Sequence, residues 1–183
     1  MKKMVYFMGV IAVCIYIAGC SNDNTMKEND SGNVDSLDIS DEKSDSDNIF
    51  IKSLFESQKK FTVELIQDKK IFTLLQEEMT SDNFGIEIMG EEEPCEITYY
   101  FKDKMSKTDM AKIDIEMRKV SYILLALVGD LEKVNWIYED LVEQRYIFGI
   151  TAVECYNDIG QDIKKFSESE AKLKELLDYC ADK

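Results

Sequence analysis

Met110, Ile113, Met117, Val120, Leu124 and Leu127 follow one another at steps of three and four, which puts apolar side chains on one face of an α-helix. Ser106 with Asp109 three residues on has the form of a capping box at its start, and Gly129 supplies a stop. From Val120 to Val128 the segment is apolar almost all round, so this end must be covered on several sides. The spacing predicts a central core helix about 33 Å long at 1.5 Å per residue. Asp114, Glu116, Arg118 and Lys119 charge its first half, which excludes a membrane-spanning reading.

Leu54, Phe61, Leu65, Phe72, Leu75 and Met79 also recur at helical spacing, while Phe61, Val63 and Leu65 alternate as a strand would. The expectation is a helix with a break near Phe61. Phe84 to Met89 and Glu96 to Phe101 are short, branched and aromatic, and Gly90 and Pro94 bracket an acidic turn between them, as in a hairpin. Val134, Trp136 and Tyr138, then Tyr146, Phe148 and Ile150, alternate with other residues and predict a second hairpin. Ser167 with Glu170 resembles another capping box, ahead of the stripe Leu173, Leu176, Leu177 and Cys180 of a terminal helix. The order is α, ββα, ββα. It predicts one α+β domain over residues 49–183, with an antiparallel sheet from two hairpins packed against a central helix and a C-terminal helix.

The N-terminus follows a different pattern. Lys2 and Lys3 precede an uncharged run from Met4 to Ala18, shorter than the roughly 20 residues of a permanent membrane helix and shaped like an export signal. It ends in Ile17-Ala18-Gly19-Cys20, which resembles the lipobox of bacterial lipoproteins. That resemblance implies cleavage of residues 1–19 and acylation of Cys20, with chains such as palmitate holding the protein on the extracytoplasmic face of the cell membrane. Residues 20–48 are Ser, Asn, Asp and Glu-rich, with nine acidic side chains against Lys27 and Lys43, and read as a disordered acidic tether.

The whole chain has 183 residues, 22 Lys+Arg, 37 Asp+Glu and no His, for a net charge of −15. Loss of residues 1–19 removes two lysines and takes it to −17. Such a surface repels phosphate backbones, so no nucleic-acid partner is expected. Without His there is no zincin motif and no Ser-His-Asp triad. Ser57-Gln58-Lys59-Lys60 and Ser169-Glu170-Ala171-Lys172 match S-x-x-K, and Ser-Asp-Asn occurs at 46–48 and 81–83, but no Lys-Thr-Gly follows and the domain is small for that serine chemistry. Asp45, Asp47 and Glu56 take three calcium-loop offsets, yet Ile49 and Phe50 stand where an oxygen ligand and a glycine belong. Cys95, Cys155 and Cys180 lack C-x-x-C spacing; Cys155 and Cys180 could pair, or the thiols serve as small buried hydrophobes. No metal site and no cofactor are expected. Glu91, Glu92 and Glu93, on the first hairpin's turn, are the candidate binding residues.

Residues from about Phe84 to Tyr179 resemble the domain of unknown function family 4825. The resemblance rests on Phe84-Gly85-Ile86-Glu87-Ile88 before a Tyr-rich strand, on Val120-Ser121-Tyr122-Ile123-Leu124-Leu125-Ala126-Leu127-Val128-Gly129-Asp130-Leu131-Glu132-Lys133-Val134, and on Gly160-Gln161-Asp162-Ile163-Lys164-Lys165-Phe166-Ser167. It implies a lipid-anchored or membrane-attached extracytoplasmic protein of Gram-positive bacteria, and no known reaction. Relatives joined to antibiotic-sensing membrane metallopeptidases imply a sensory or interaction role. The expectation is a non-enzymatic module that binds an envelope membrane protein. The alternatives are a ligand-binding lipoprotein for a small cationic or envelope-derived molecule and a carboxylate-dependent envelope hydrolase.

Overall fold

The computed structural model describes residues 13–16, 40–90 and 94–182. Four strands, β2 (Phe84–Met89), β3 (Cys95–Met105), β4 (Leu131–Asp140) and β5 (Arg145–Thr151), lie side by side in chain order. Val13–Tyr16, within the stretch read as an export signal, adds β1 antiparallel to β2 at the outer edge. The class is α+β, but the sheet is mixed rather than antiparallel throughout. The hairpins β2–β3 and β4–β5 are antiparallel, whereas β3 and β4 run parallel. The cause is α4 (Lys107–Leu127), which leaves the far end of β3 and carries the chain back to the end where β3 began. Parallel neighbours need such a crossover.

Ser106 caps α4 as its sequence predicts: its side chain accepts from the Asp109 N–H, and the Asp109 carboxylate accepts from the Ser106 N–H. Ile113, Met117 and then every residue from Val120 to Leu127 are buried. One face of the sheet meets this helix. Ile86, Tyr99, Trp136 and Phe148 form one row across four strands on that face, one register step from the row Gly85, Tyr100, Ile137 and Ile147 on the other.

The helix expected with a break near Phe61 is three helices, α1 (Ser40–Glu56), α2 (Glu64–Gln67) and α3 (Lys70–Gln76), with the break at 57–63 and a second one at 68–69. α1 starts inside the stretch read as tether and buries Ile51 and Leu54. Between α1 and α2 the chain makes only local turn bonds at its ends, and its middle bonds to the turn after α4. Lys59 N–H donates to the Leu127 carbonyl (2.9 Å), Gly129 N–H donates to the Lys59 carbonyl (2.8 Å), and the Thr62 N–H and hydroxyl donate to Asp130 Oδ1 (2.6 and 2.5 Å). Gly129 does not cap α4, because Val128 holds that position. It is glycine because a Cβ there would lie 2.7 Å from the Lys60 carbonyl oxygen.

After β5 comes α5 (Ala152–Ile159), absent from the expectation, then a 3-10 turn (Ile163–Ser167) and α6 (Glu170–Ala181). Ser169, not Ser167, caps α6 by accepting from the Lys172 N–H. Lys164 Nζ donates to the Val128 and Leu131 carbonyls (2.6 and 2.8 Å), placing a cation at the C-terminal end of α4. No described helix is long and apolar enough to cross a membrane.

Candidate functional site

The residues singled out by sequence do not form a described site. Cys20 and Glu91, Glu92 and Glu93 lie outside the described residues. The two S-x-x-K serines have structural partners: buried Ser57 donates to the Leu54 carbonyl at 2.7 Å, and Ser169 is the α6 cap. Cys95, Cys155 and Cys180 are free thiols. Burial pushes Cys155 up to about 12, with Asp158 adding to the effect, and pushes Cys180 up to about 11. Among the described residues no group of three or more His, Cys, Asp or Glu side chains is placed to hold a metal ion.

A cleft of about 490 Å³ opens where the exposed side of α4 meets the β4–β5 hairpin, α5 and the end of α6. Periodicity builds its α4 wall, because Asp114, Arg118 and Tyr122 step by four along the helix beside the buried stripe. Trp136 and Phe148, opposite one another in the β4–β5 register, form the second wall, their rings stacked with centroids 5.9 Å apart. Asp158 of α5 and Cys180 of α6 close the far side, and Ile115, 66% exposed, stands at the rim.

The polar groups of the cleft hold one another. Trp136 Nε1–H donates to Asp114 Oδ1 at 2.8 Å, and the Tyr138 hydroxyl donates to the same carboxylate at 3.0 Å. The Tyr122 hydroxyl donates to Asp158 Oδ2 at 2.7 Å, and the Arg118 guanidinium lies 3.5 Å from that oxygen. Tyr179 completes the bracket by donating to the Asp158 carbonyl at 3.0 Å. Burial holds the Tyr122 and Tyr138 phenols protonated well above their ordinary range, with their aspartate partners adding to the effect. The arrangement presents the Phe148 ring and the Ile115 side chain to an incoming group, with two carboxylates and a guanidinium at fixed positions around them.

Sequence reasoning missed this site because it read Asp114 and Arg118 only as charges on a helix. The usable signal is their i, i+4 spacing on the flank of a buried stripe, together with Trp136 and Tyr138 of one strand, which need hydrogen-bond acceptors when buried. The fold and cleft together give an α+β domain, helix-covered on one sheet face and carrying an aromatic-lined cleft at the β5 end. Comparison with protein-family models, curated proteins and solved structures finds no match to the chain.

Proposed function

We propose that the protein is a non-enzymatic binding module, lipid-anchored through Cys20 on the extracytoplasmic face of the cell membrane, and that the α4–β5 cleft receives a segment of an envelope membrane protein. One observation carries the binding reading. The acidic groups of the cleft are engaged in holding rings in place, while apolar surface at Ile115 and Phe148 stays exposed. A catalytic base or nucleophile needs a reactive group free to meet substrate. The Cys180 thiol, pushed up to about 11, holds little thiolate at neutral pH. The anchor rests on the lipobox-like Ile17-Ala18-Gly19-Cys20, and the sensory or interaction role accords with the resemblance to domain of unknown function family 4825.

A photo-crosslinking amino acid in place of Ile115, in the lipidated protein in native membranes, tests this. The expected result is a discrete adduct with one membrane protein, weakened by Cys20→Ala, which frees the module from the surface. Labelling no stronger than from the same amino acid in place of Lys112, an exposed α4 residue that does not line the cleft, refutes it. A second reading, capture of a small amphipathic cation, is favoured by the Trp136–Phe148 wall beside Asp114 and Asp158. It predicts a thermal shift with aromatic amines that Asp158→Asn abolishes.

A further inference from the structure

The cleft accounts for one side of β5, and the strand's outer edge is a separate feature. β5 hydrogen-bonds to β4 and to no other described strand. In an antiparallel pair, alternate residues direct their N–H and C=O groups away from the partner, so β5 presents a row of such groups outward. Proteins commonly blunt such an edge with lysine, proline or a bulge. Here β5 contains no lysine and no proline, and its register with β4 runs unbroken from Lys133↔Thr151 to Glu139↔Arg145. Its apolar side chains are exposed on both faces, Ile147 at 65% on the open face and Phe148 at 40% on the cleft face. Val153 and Tyr156 of α5 extend the exposed apolar surface beyond its end.

Charge selects the occupant. Glu139, Asp140 and Glu143 lie at the turn end of the strand, where Lys104 pairs with Glu143, Glu154 follows its other end, and Asp114 and Asp158 line the adjoining cleft together with Arg118 and Lys119. Arg145 is the one cation on β5. A second copy of a chain with net charge −15 would meet its own sign. We infer that β5 takes an extended basic segment of a partner protein as an added strand, with alternate apolar side chains against Phe148 or Ile147 and lysines or arginines against the flanking carboxylates. This rests on the binding-module reading above and names how the partner is held.

The probe is the peptide Ac-Lys-Val-Lys-Val-Lys-Val-Lys-NH2 titrated into the full chain. Trp136, the only tryptophan, lies beneath Phe148 as a built-in reporter. Binding is expected to change its emission, to slow hydrogen exchange at amides of residues 145–150, and to weaken at least tenfold between 50 and 500 mM salt, values chosen to span the screening range. The Glu-Val counterpart is expected not to bind. N-methylation at the valines or at the lysines removes the donors of one peptide edge, and one of these two peptides is expected to lose binding while the other keeps it. Ile147→Pro is expected to weaken binding at least tenfold. Because a proline in a strand can unfold the domain, the N-methylated peptides put the same question to the unaltered protein.

The inference is overturned if the basic peptide changes neither Trp136 emission nor exchange at β5, if both N-methylated peptides bind as well as the parent, or if the chain dimerises through β5 at physiological salt. Cross-linking at Ile115 that succeeds while the peptides fail removes edge addition and leaves the binding reading standing.

Discussion

Asp114→Ala tests the framework of the cleft most directly. Its carboxylate accepts from Trp136 Nε1–H and from the Tyr138 hydroxyl, and those side chains are only 4% and 1% exposed. Truncation leaves two donors without their acceptor in a setting where water has limited access. An unsatisfied buried donor costs about 1–3 kcal/mol, so two give roughly 2–4 kcal/mol once partial access from the cleft is allowed for. For a folded domain of this size an unfolding entropy of about 2.1 cal/mol/K per residue makes each kcal/mol worth about 3–4 °C. The expected fall in Tm is therefore about 7–14 °C. Asp114→Asn keeps one acceptor oxygen and is expected to lose about half as much. Lys112→Ala, on the same helix but exposed, is expected to stay within about 0.5 kcal/mol of the parent. Calorimetry and urea unfolding give the stabilities, and Trp136 emission reports the indole independently. A loss for Asp114→Ala below about 0.5 kcal/mol with unchanged emission would refute the reasoning, since the rings would then be held by packing alone.

Other consequences follow from the same structure. Gly129→Ala is expected to cost about 2 kcal/mol or more by urea unfolding, because its Cβ meets a backbone oxygen at 2.7 Å that a side-chain rotation cannot clear; a change under 0.5 kcal/mol contradicts the close approach. Burial pulls the Lys164 amine down to about 8 from its usual 10.5, so above pH 8 the unfolded chain holds the proton that the folded chain releases. Stability should rise with pH from about 8, by up to about 1.4 kcal/mol per unit, until the thiols of the unfolded chain ionise near 9 and oppose it. Lys164→Met should lack that rise, and identical pH profiles for the two proteins would count against it. With Cys14→Ser and Cys20→Ser in place, the remaining thiols should react with a disulfide reagent at pH 7.5 at least about 100-fold more slowly than free cysteine, and quickly in denaturant; rapid labelling of native Cys180 would show that it is not held up as described.

What could be read from the sequence was local. The stripe from Met110 to Leu127 and the Ser106–Asp109 box lie within a few residues of their consequences, and the helix appears where they put it. Both hairpins appear for the same reason. The parallel orientation of β3 and β4 depends on the end to which α4 returns the chain, which no window of periodicity contains. A break near Phe61 was legible, but what holds 57–63 out of the helix lies 68 residues away in sequence, where Lys59 and Thr62 meet Leu127 and Asp130. α5 left a readable trace that periodicity alone overlooks in so short a segment: Thr151 with Glu154 forms its capping box, and Gly160 closes it at φ 82°. The cleft was illegible because Asp114, Trp136, Tyr138 and Asp158 come from three elements, and only their assembly turns helix charges into acceptors for buried rings.

The open edge of β5 raises the question of what keeps the protein from pairing with itself. An unbroken strand with exposed Ile147 and Phe148 is the kind of edge that templates self-association, and β5 carries neither proline nor bulge to prevent it. Protection is then left to charge, chiefly the net −15 per chain, because at the turn end Lys104 pairs with Glu143 and Arg145 lies opposite Glu139. Charge protection has a range set by salt, about 10 Å at 0.1 M and about 3 Å at 1 M. The full chain should therefore sediment as a monomer near 0.1 M salt and associate near 1 M, and the association should disappear with Ile147→Lys, which restores the usual edge defence on the open face of the sheet, away from the α4 core. A monomer at both salt concentrations would mean that the edge is blunted by geometry rather than by charge, and the case for a basic strand on β5 would lose its selectivity. Association that follows charge would tie the two properties together: the carboxylates that keep the edge from its own kind are those that favour a partner of opposite sign.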